Sequence, residues 1–302
     1  MNFSKIIFTS FAALIITTAG FAQVKKKPVK SPKSKPVAAA TQQKPAILPI
    51  DPNVVIGKLP NGLTYYIRNN GLPKNLATLM LVNKAGSVLE SDAQRGATHF
   101  VEHMAFNGTR NFPKTDLTTY LNSRGAGNGP DQTATSSFDE TVYQLSLPTD
   151  TASIFDKGFK LLADWAGNIT FDAAEIEKER AKIINEINTT GNTSQERIQK
   201  QSIPFLLKNS RYASRFPIPD ADAFKKLSVD AIKSFYHDWY RPDMQAIIVV
   251  GDFDVKRVEQ LIKDNFSALK NPAPEKPRTI YAGVPSTGTS VNFITDKDFQ
   301  YE

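Results

Sequence analysis

The 302-residue sequence contains no cysteine and three histidines, and no acidic residue precedes Asp51. Without cysteine the chain can form no disulfide, carry no lipid-modified cysteine and offer no thiolate, so a metal centre would need histidine and carboxylate ligands. The net charge of +7 comes from the N-terminal region, where Lys5 and seven lysines between positions 25 and 44 are unopposed. From Ala46 onward 29 basic residues face 30 acidic ones. By charge, the body of the protein is therefore not a nucleic-acid binder.

The first 45 residues predict export. Residues 1–22 resemble a secretory signal peptide, with Lys5 before the apolar run Ile6–Ile16 and Gly20-Phe21-Ala22 as a small-x-small cleavage site before Gln23. An uncleaved membrane anchor is the alternative, although the apolar run is short for a membrane span. Residues 23–45 are rich in Lys, Pro, Ala and Ser, which predicts an extended linker. We interpret this linker as a solvated spacer rather than a surface that binds anionic membranes or cell-wall polymers.

Two of the three histidines lie within five residues, in the pattern His99-x-x-Glu102-His103. On a helix, positions i, i+3 and i+4 share one face, so both imidazoles and the carboxylate point the same way. Two imidazoles suit zinc, and Glu102 could act as general base toward a zinc-activated water, an arrangement known among zinc proteases. The alternative is a half-buried helix whose histidines make local hydrogen bonds. The opposite face carries small and apolar residues, namely Ala97, Val101, Met104 and Ala105.

Hydrophobic periodicity predicts an α+β domain with helices packed on a largely antiparallel sheet. The predicted strands are at 54–56, 63–67, 76–88, 132–137, 141–147 and 244–250. Besides the short helix around His99, we predict helices at 114–123, 151–168, 172–190, 194–208, 228–239 and 255–266. Ser91 and Gln94 form a capping pair that we expect to open the His99 helix. Three prolines between Asn271 and Pro277 mark a boundary, which predicts a main domain at 46–270 and a linker with the start of a further domain at 271–302.

A catalytic zinc site needs one more protein ligand. Glu179 and Glu186 are seven residues apart on the predicted 172–190 helix, so they share nearly the same face. Either could approach a metal ion. The alternative is that both pair with Arg180 and Lys182 on a solvated face. The pattern alone does not choose between these two arrangements.

Several segments together resemble the insulinase/pitrilysin family of zinc peptidases, the inverzincins. Gly96–Thr109 is similar to the zinc helix of that family and the Gly-Thr turn after it. Ser137–Tyr143 is similar to the segment beside its active site. Trp239–Pro242 and Val249–Phe253 are similar to the end of its first domain. These motifs extend over about residues 50–270.

The resemblance implies a zinc-dependent endopeptidase that acts on peptides or small unfolded proteins. It assigns His99, His103 and Glu186 to Zn²⁺, Glu102 to catalysis and Glu179 to the support of a metal ligand. It also implies a fold in which two similar halves form a clamshell, and an exported, periplasmic location. The alternative is a noncatalytic peptidase-like scaffold or partner subunit. Noncatalytic members of such families have usually lost motif residues, whereas this sequence retains them.

The resemblance also implies that substrate adds a strand to a sheet edge at 132–137 and contacts Thr133 and Ala134. Thr133 stands where the family usually has an asparagine that helps to position substrate. The second half of such enzymes supplies an arginine and a tyrosine. Because Val291–Asp296 resembles the opening strand of a further domain, we expect a fragment of a longer protein or a natural half that pairs with another subunit. His237, the third histidine, is expected to be a satisfied histidine rather than a ligand.

Overall fold

The computed structural model of the chain describes residues 49–122, 132–190, 193–281 and 288–298. The predicted signal peptide at 1–22, the predicted linker at 23–45 and residues 123–131, for which the glycines at 125, 127 and 129 predict a loop, lie outside these ranges. Within them, no helix is both long enough and apolar enough to cross a bilayer.

Six strands and eight α-helices make up the regular structure of the described residues. The strands are β1 (Val55–Lys58), β2 (Thr64–Asn69), β3 (Leu76–Asn83), β4 (Gln132–Ser136), β5 (Thr141–Pro148) and β6 (Gln245–Gly251). The helices are α1 (Ala97–Met104), α2 (Lys114–Asn122), α3 (Ala152–Gly167), α4 (Ala173–Thr190), α5 (Ser194–Leu206), α6 (Ala221–Lys226), α7 (Val229–Trp239) and α8 (Val255–Phe266). Most predicted elements are present within one to three residues of their predicted ends.

The strands form one sheet in the order β1-β2-β6-β3-β5-β4. Only the β2–β6 pair is parallel among the described strands. Strands β3, β5 and β6 bury every second residue, and these buried side chains pack against the helices. The predicted α+β class and the largely antiparallel sheet with helices on one side are therefore confirmed. At one edge β4 pairs with β5 alone among the described strands, which leaves its outer side open.

The segment before α1 differs from the prediction. The strand predicted at 76–88 ends at Asn83 and is followed by a 3₁₀ turn, Ser87–Leu89. After β3 the chain passes close to the turn between β4 and β5, where a Cβ on Gly86 would lie 2.4 Å from the Phe138 backbone. The capping prediction was also wrong, because Ser91 and Gln94 close a separate 3₁₀ turn, Asp92–Gln94, and not α1.

Two further differences concern short or terminal segments. Helix α6 was not predicted, because six residues are too few to show helical periodicity in the sequence. Residues 271–281 and 288–298 carry no helix or strand, so the strand suggested at 291–296 is not formed there. The boundary predicted near Asn271 and the start of a second domain stay predictions.

Candidate metal centre

Helix α1 presents its polar residues on one face because its other face is buried in the core. Val101, Met104 and the following Ala105 are fully buried, as the sequence pattern predicted. The burial of these residues fixes the rotation of the helix about its axis. His99, Glu102 and His103 consequently share the opposite face.

The first turn of α1 depends on contacts that the sequence does not reveal. Gly96 precedes the helix with a φ of 91°, a conformation that favours glycine. A Cβ at this position would lie 2.9 Å from the ring of Phe224, which comes from α6 and is fully buried. The same ring meets the imidazole of His99 at a centroid distance of 6.0 Å. Phe224 therefore packs against both the start of α1 and the first histidine.

Helix α4 supplies two carboxylates to the same region. Asp172 caps this helix by accepting hydrogen bonds from the amides of Ala174 and Glu175, at 2.9 and 3.0 Å. Three isoleucines of α4 are buried in the core, and their burial turns Glu179 and Glu186 toward α1. The Glu179 side chain is 7 % exposed, whereas that of Glu186 is 38 % exposed and so remains open to solvent.

The two histidines and Glu186 form a compact donor set, with one possible ligand atom from each within 4.8 Å of the others. The Glu186 carboxylate lies between the imidazoles, 3.8 Å from Nε2 of His99 and 3.3 Å from Nε2 of His103. Donors placed tetrahedrally around one zinc ion at 2.0–2.1 Å lie about 3.4 Å from one another. The two separations from Glu186 lie within about 0.5 Å of that spacing.

The surroundings of His99 also fit a metal ion. Both of its ring nitrogens are buried and have no hydrogen-bond partner within the described part of the chain. Buried polar atoms normally have a partner, because an unsatisfied one costs about 1–3 kcal/mol. A cation held by Nε2 would satisfy one of them. Glu102 lies beside this set, with Oε2 3.6 Å from Nδ1 of His99.

His103 is oriented from behind by Glu179, whose Oε1 lies 3.0 Å from Nδ1. Glu179 also accepts a hydrogen bond from Lys182 at 2.7 Å. This is one of the ion pairs that the alternative prediction, a solvated face of α4, would contain. A carboxylate on the second nitrogen of a ligand histidine fixes the ring and its tautomer. The structure thus brings Glu179 to His103 and Glu186 to both imidazoles, a division that the sequence pattern left open.

The carboxylates shift the ionisation of both histidines. Burial lowers the pKa of His103, but hydrogen bonds to Glu179 and Glu186 outweigh it and raise the pKa to about 9. Burial also lowers the pKa of His99, but the carboxylates of Glu102 and Glu186 outweigh burial, so this pKa is raised as well. In turn, His103 and His99 hold the pKa of Glu186 well below its usual value. Because a metal ion needs neutral imidazoles, it would displace protons from this site on binding.

We expect Glu179→Gln to weaken zinc binding about 10- to 100-fold, because the substitution removes the charge that orients His103. Titration against a chromophoric zinc chelator measures this change. Glu177→Gln is the matched control, since Glu177 lies on the same helix, pairs with Arg180 and has a 62 % exposed side chain. Equal affinities for the two variants would contradict a supporting role for Glu179.

The substrate residues proposed from the sequence lie on the edge strand. Thr133 pairs with Gln144 of β5, and the half-buried Ala134 pairs with Tyr143. The last residue of this strand, Ser136, lines a cavity of about 180 Å³ together with Glu186. One residue at the end of the edge strand and one residue of the donor set therefore border the same cavity. His237 lies apart from this set on α7, with a 73 % exposed side chain 3.5 Å from Asp238.

Sequence comparison places the chain among known peptidases. Residues 66–213 match the family described as Insulinase (Peptidase family M16), and residues 226–300 match the Peptidase M16 inactive domain. The probable zinc protease PqqL of Haemophilus influenzae is 38 % identical over 220 residues, which cover 73 % of this chain and 24 % of that protein. The zinc protease PQQL-like of Arabidopsis thaliana is 37 % identical, over 76 % of this chain and 24 % of that protein.

A solved structure shows the same fold. The first half of the periplasmic protease PqqL from Escherichia coli superposes with a TM-score of 0.72 at 37 % identity, over 78 % of this chain and 50 % of that one. The present chain spans about a quarter of the length of these two curated relatives.

Proposed function

Because the chain belongs to the insulinase family of peptidases, family M16, we propose that it forms the metal-binding part of a zinc-dependent endopeptidase. Its relatives bear the names of zinc proteases. The observation that carries the proposal is the donor set itself, in which His99, His103 and Glu186 converge while Glu102 stands beside them. Two histidines and one glutamate are a donor set of catalytic zinc sites, which keep a further position for water or substrate.

In the proposed reaction the chain's own residues hold the metal, move the proton and align the substrate. When bound, zinc supplies a Lewis acid that polarises the peptide carbonyl and activates water. Glu102 accepts the proton of the attacking water and afterwards donates it to the leaving nitrogen. Glu179 keeps His103 oriented through its Nδ1 contact throughout. This pathway needs no protein nucleophile.

The substrate in this proposal is a peptide or a small unfolded protein that pairs with β4. The outer side of β4 is open among the described strands, and backbone pairing there would be independent of substrate sequence. Thr133 and Ala134 are the proposed contacts. One substrate side chain would enter the 180 Å³ cavity between Ser136 and Glu186.

We further propose that the complete enzyme works in the periplasm and needs a second peptidase-like half, on the same chain or on a partner subunit. The periplasmic PqqL structure, of which the related region is the first half, supports this arrangement. A predicted signal peptide at 1–22 would direct the export.

Chelation tests the function directly. We expect the full-length gene product to cleave a quenched fluorescent peptide, to lose this activity with a chelator such as 1,10-phenanthroline, and to regain it when zinc is restored. Liquid chromatography with mass spectrometry locates the cut in the peptide. Cleavage that persists after complete metal removal would refute the proposal. Zinc-dependent peptide binding without any cleavage would instead support the noncatalytic scaffold.

A further inference from the structure

Glu90 is a buried carboxylate that the reaction proposed above does not use. It lies between the 3₁₀ turn Ser87–Leu89 and α1, and it is 1 % exposed. Its Oε2 accepts a hydrogen bond from the amide of Gly96 at 3.0 Å, and its Oε1 accepts one from the amide of Thr98 at 2.8 Å. These are amides at the start of α1, where a helix leaves its N–H groups without backbone partners. The Glu90 side chain therefore caps the N-terminus of α1. The N-cap residue itself, Gly96, cannot do so because it has no side chain.

The backbone of Glu90 is held as firmly as its side chain. Its carbonyl oxygen accepts hydrogen bonds from the guanidinium groups of Arg211 and Arg215. Arg215 is itself buried, pairs with Asp92, and accepts at its own carbonyl a hydrogen bond of 2.6 Å from the Ser87 hydroxyl. With both ends bound, the Glu90 carboxylate has little freedom to leave the amides of α1.

The same contacts connect α1 to the wall of the substrate cavity. Arg211 and Arg215 belong to a segment that continues into Phe216 and Ile218, and these two residues line the 180 Å³ cavity with Glu186. Glu90 is thus the point at which the cavity wall and the helix that carries both histidines meet.

Burial of a carboxylate costs free energy because the charged group loses its hydration. Burial raises the pKa of Glu90 to about 7, against the lowering effect of the hydrogen bonds from Thr98 and Gly96. A neutral side chain of similar shape would avoid this cost. It would, however, offer fewer acceptors and no negative charge to the positive end of the helix. The geometry therefore points to a requirement for the carboxylate at this helix end.

We propose that Glu90 is a positioning residue of the metal centre, which fixes the first turn of α1 and through it the orientation of His99. This inference rests on the proposed zinc site. His99 directly follows Thr98, whose amide donates a hydrogen bond to Glu90, and the ring of His99 contacts that of Phe224. In Glu90→Gln the amide oxygen can accept one N–H, whereas the NH₂ group faces the other as a second donor. The first turn then loses one of its two anchors.

The visible spectrum of bound Co²⁺ tests the proposal, because its d–d bands report the ligand geometry. We expect Glu90→Gln in the full-length protein to change these bands and to weaken Co²⁺ and Zn²⁺ binding about 10- to 100-fold. Glu90→Asp, which keeps the charge, should recover part of the affinity. In the metal-free protein, exchange of the Thr98 amide should accelerate about tenfold in Glu90→Gln.

Asp164→Asn is the matched control. Asp164 is also 1 % exposed, but it holds the turn after α1 through Thr109 and Asn111. We expect this variant to lower the melting temperature while leaving the Co²⁺ bands unchanged. The proposal is overturned if Glu90→Gln leaves bands and affinity unaltered, or if Asp164→Asn shifts them equally. A wild-type protein that binds no metal would instead refute the zinc site itself, whereas the amide exchange would still report the cap.

Discussion

Glu102→Gln is expected to reduce peptide hydrolysis about 10²- to 10⁴-fold while zinc remains bound, because the amide keeps the shape of the side chain but cannot accept a proton. Glu102 is 8 % exposed and lies beside the donor set, not within it. Removing its charge should therefore leave the ligand distances intact. Initial rates on a fluorogenic peptide give the loss of activity, and metal analysis of the dialysed protein gives the zinc content.

Glu140→Gln is a suitable control for this experiment. Glu140 follows the edge strand in sequence and is exposed, so its substitution tests whether loss of an acidic residue outside the donor set lowers the rate. We expect full activity in this variant. Substantial cleavage by Glu102→Gln with normal zinc content would exclude Glu102 as the general base. Loss of zinc together with activity would make Glu102 a metal ligand instead.

Glu186→Gln is expected to lower the zinc affinity by more than about 100-fold, and to abolish hydrolysis at limiting zinc. The expected loss exceeds the 10- to 100-fold cost of removing a group that only supports a ligand. The physical reason is that Glu186 is the carboxylate that lies between the two imidazoles, 3.8 and 3.3 Å from their Nε2 atoms. An amide oxygen in its place carries no charge to offset that of the ion.

Glu196→Gln serves as the control for Glu186. Glu196 lies on α5 and lines the same cavity, but it is outside the donor set. Isothermal titration with zinc, in the presence of a competing chelator, should give wild-type affinity for this variant. One-to-one binding with unchanged affinity in Glu186→Gln would mean that the third ligand comes from elsewhere in the protein.

The parts of the site that depend on spacing could be predicted from the sequence. His99, Glu102 and His103 share a face because helical geometry leaves no other arrangement, and the apolar residues on the opposite face identify the side of the helix that packs on the core. The strands were predictable for the same reason, since alternation of buried and half-buried residues follows from the pleat. The capping pattern led to one wrong prediction, because Ser91 and Gln94 cap a short 3₁₀ turn and not α1.

The contacts between distant segments were not predictable in this way. Glu179 and Glu186 lie on the same face of one helix, and only the packing of α4 against α1 assigns the first to His103 alone and the second to both imidazoles. Phe224 and Glu90 carry no periodic signal. Phe224 lies on a helix of only six residues. The partners of Glu90 are backbone amides, which every residue except proline has, so residue type does not identify them.

The sequence by itself determined the fold class, the polar face of α1 and the kinship with zinc peptidases, because each of these depends on residue type and short-range spacing. The tertiary structure decided which carboxylate meets which imidazole and which buried acid anchors the first turn of α1. The reason is physical: periodicity along the chain specifies the direction in which a side chain points, whereas the partner that it meets depends on how separate helices and strands pack together.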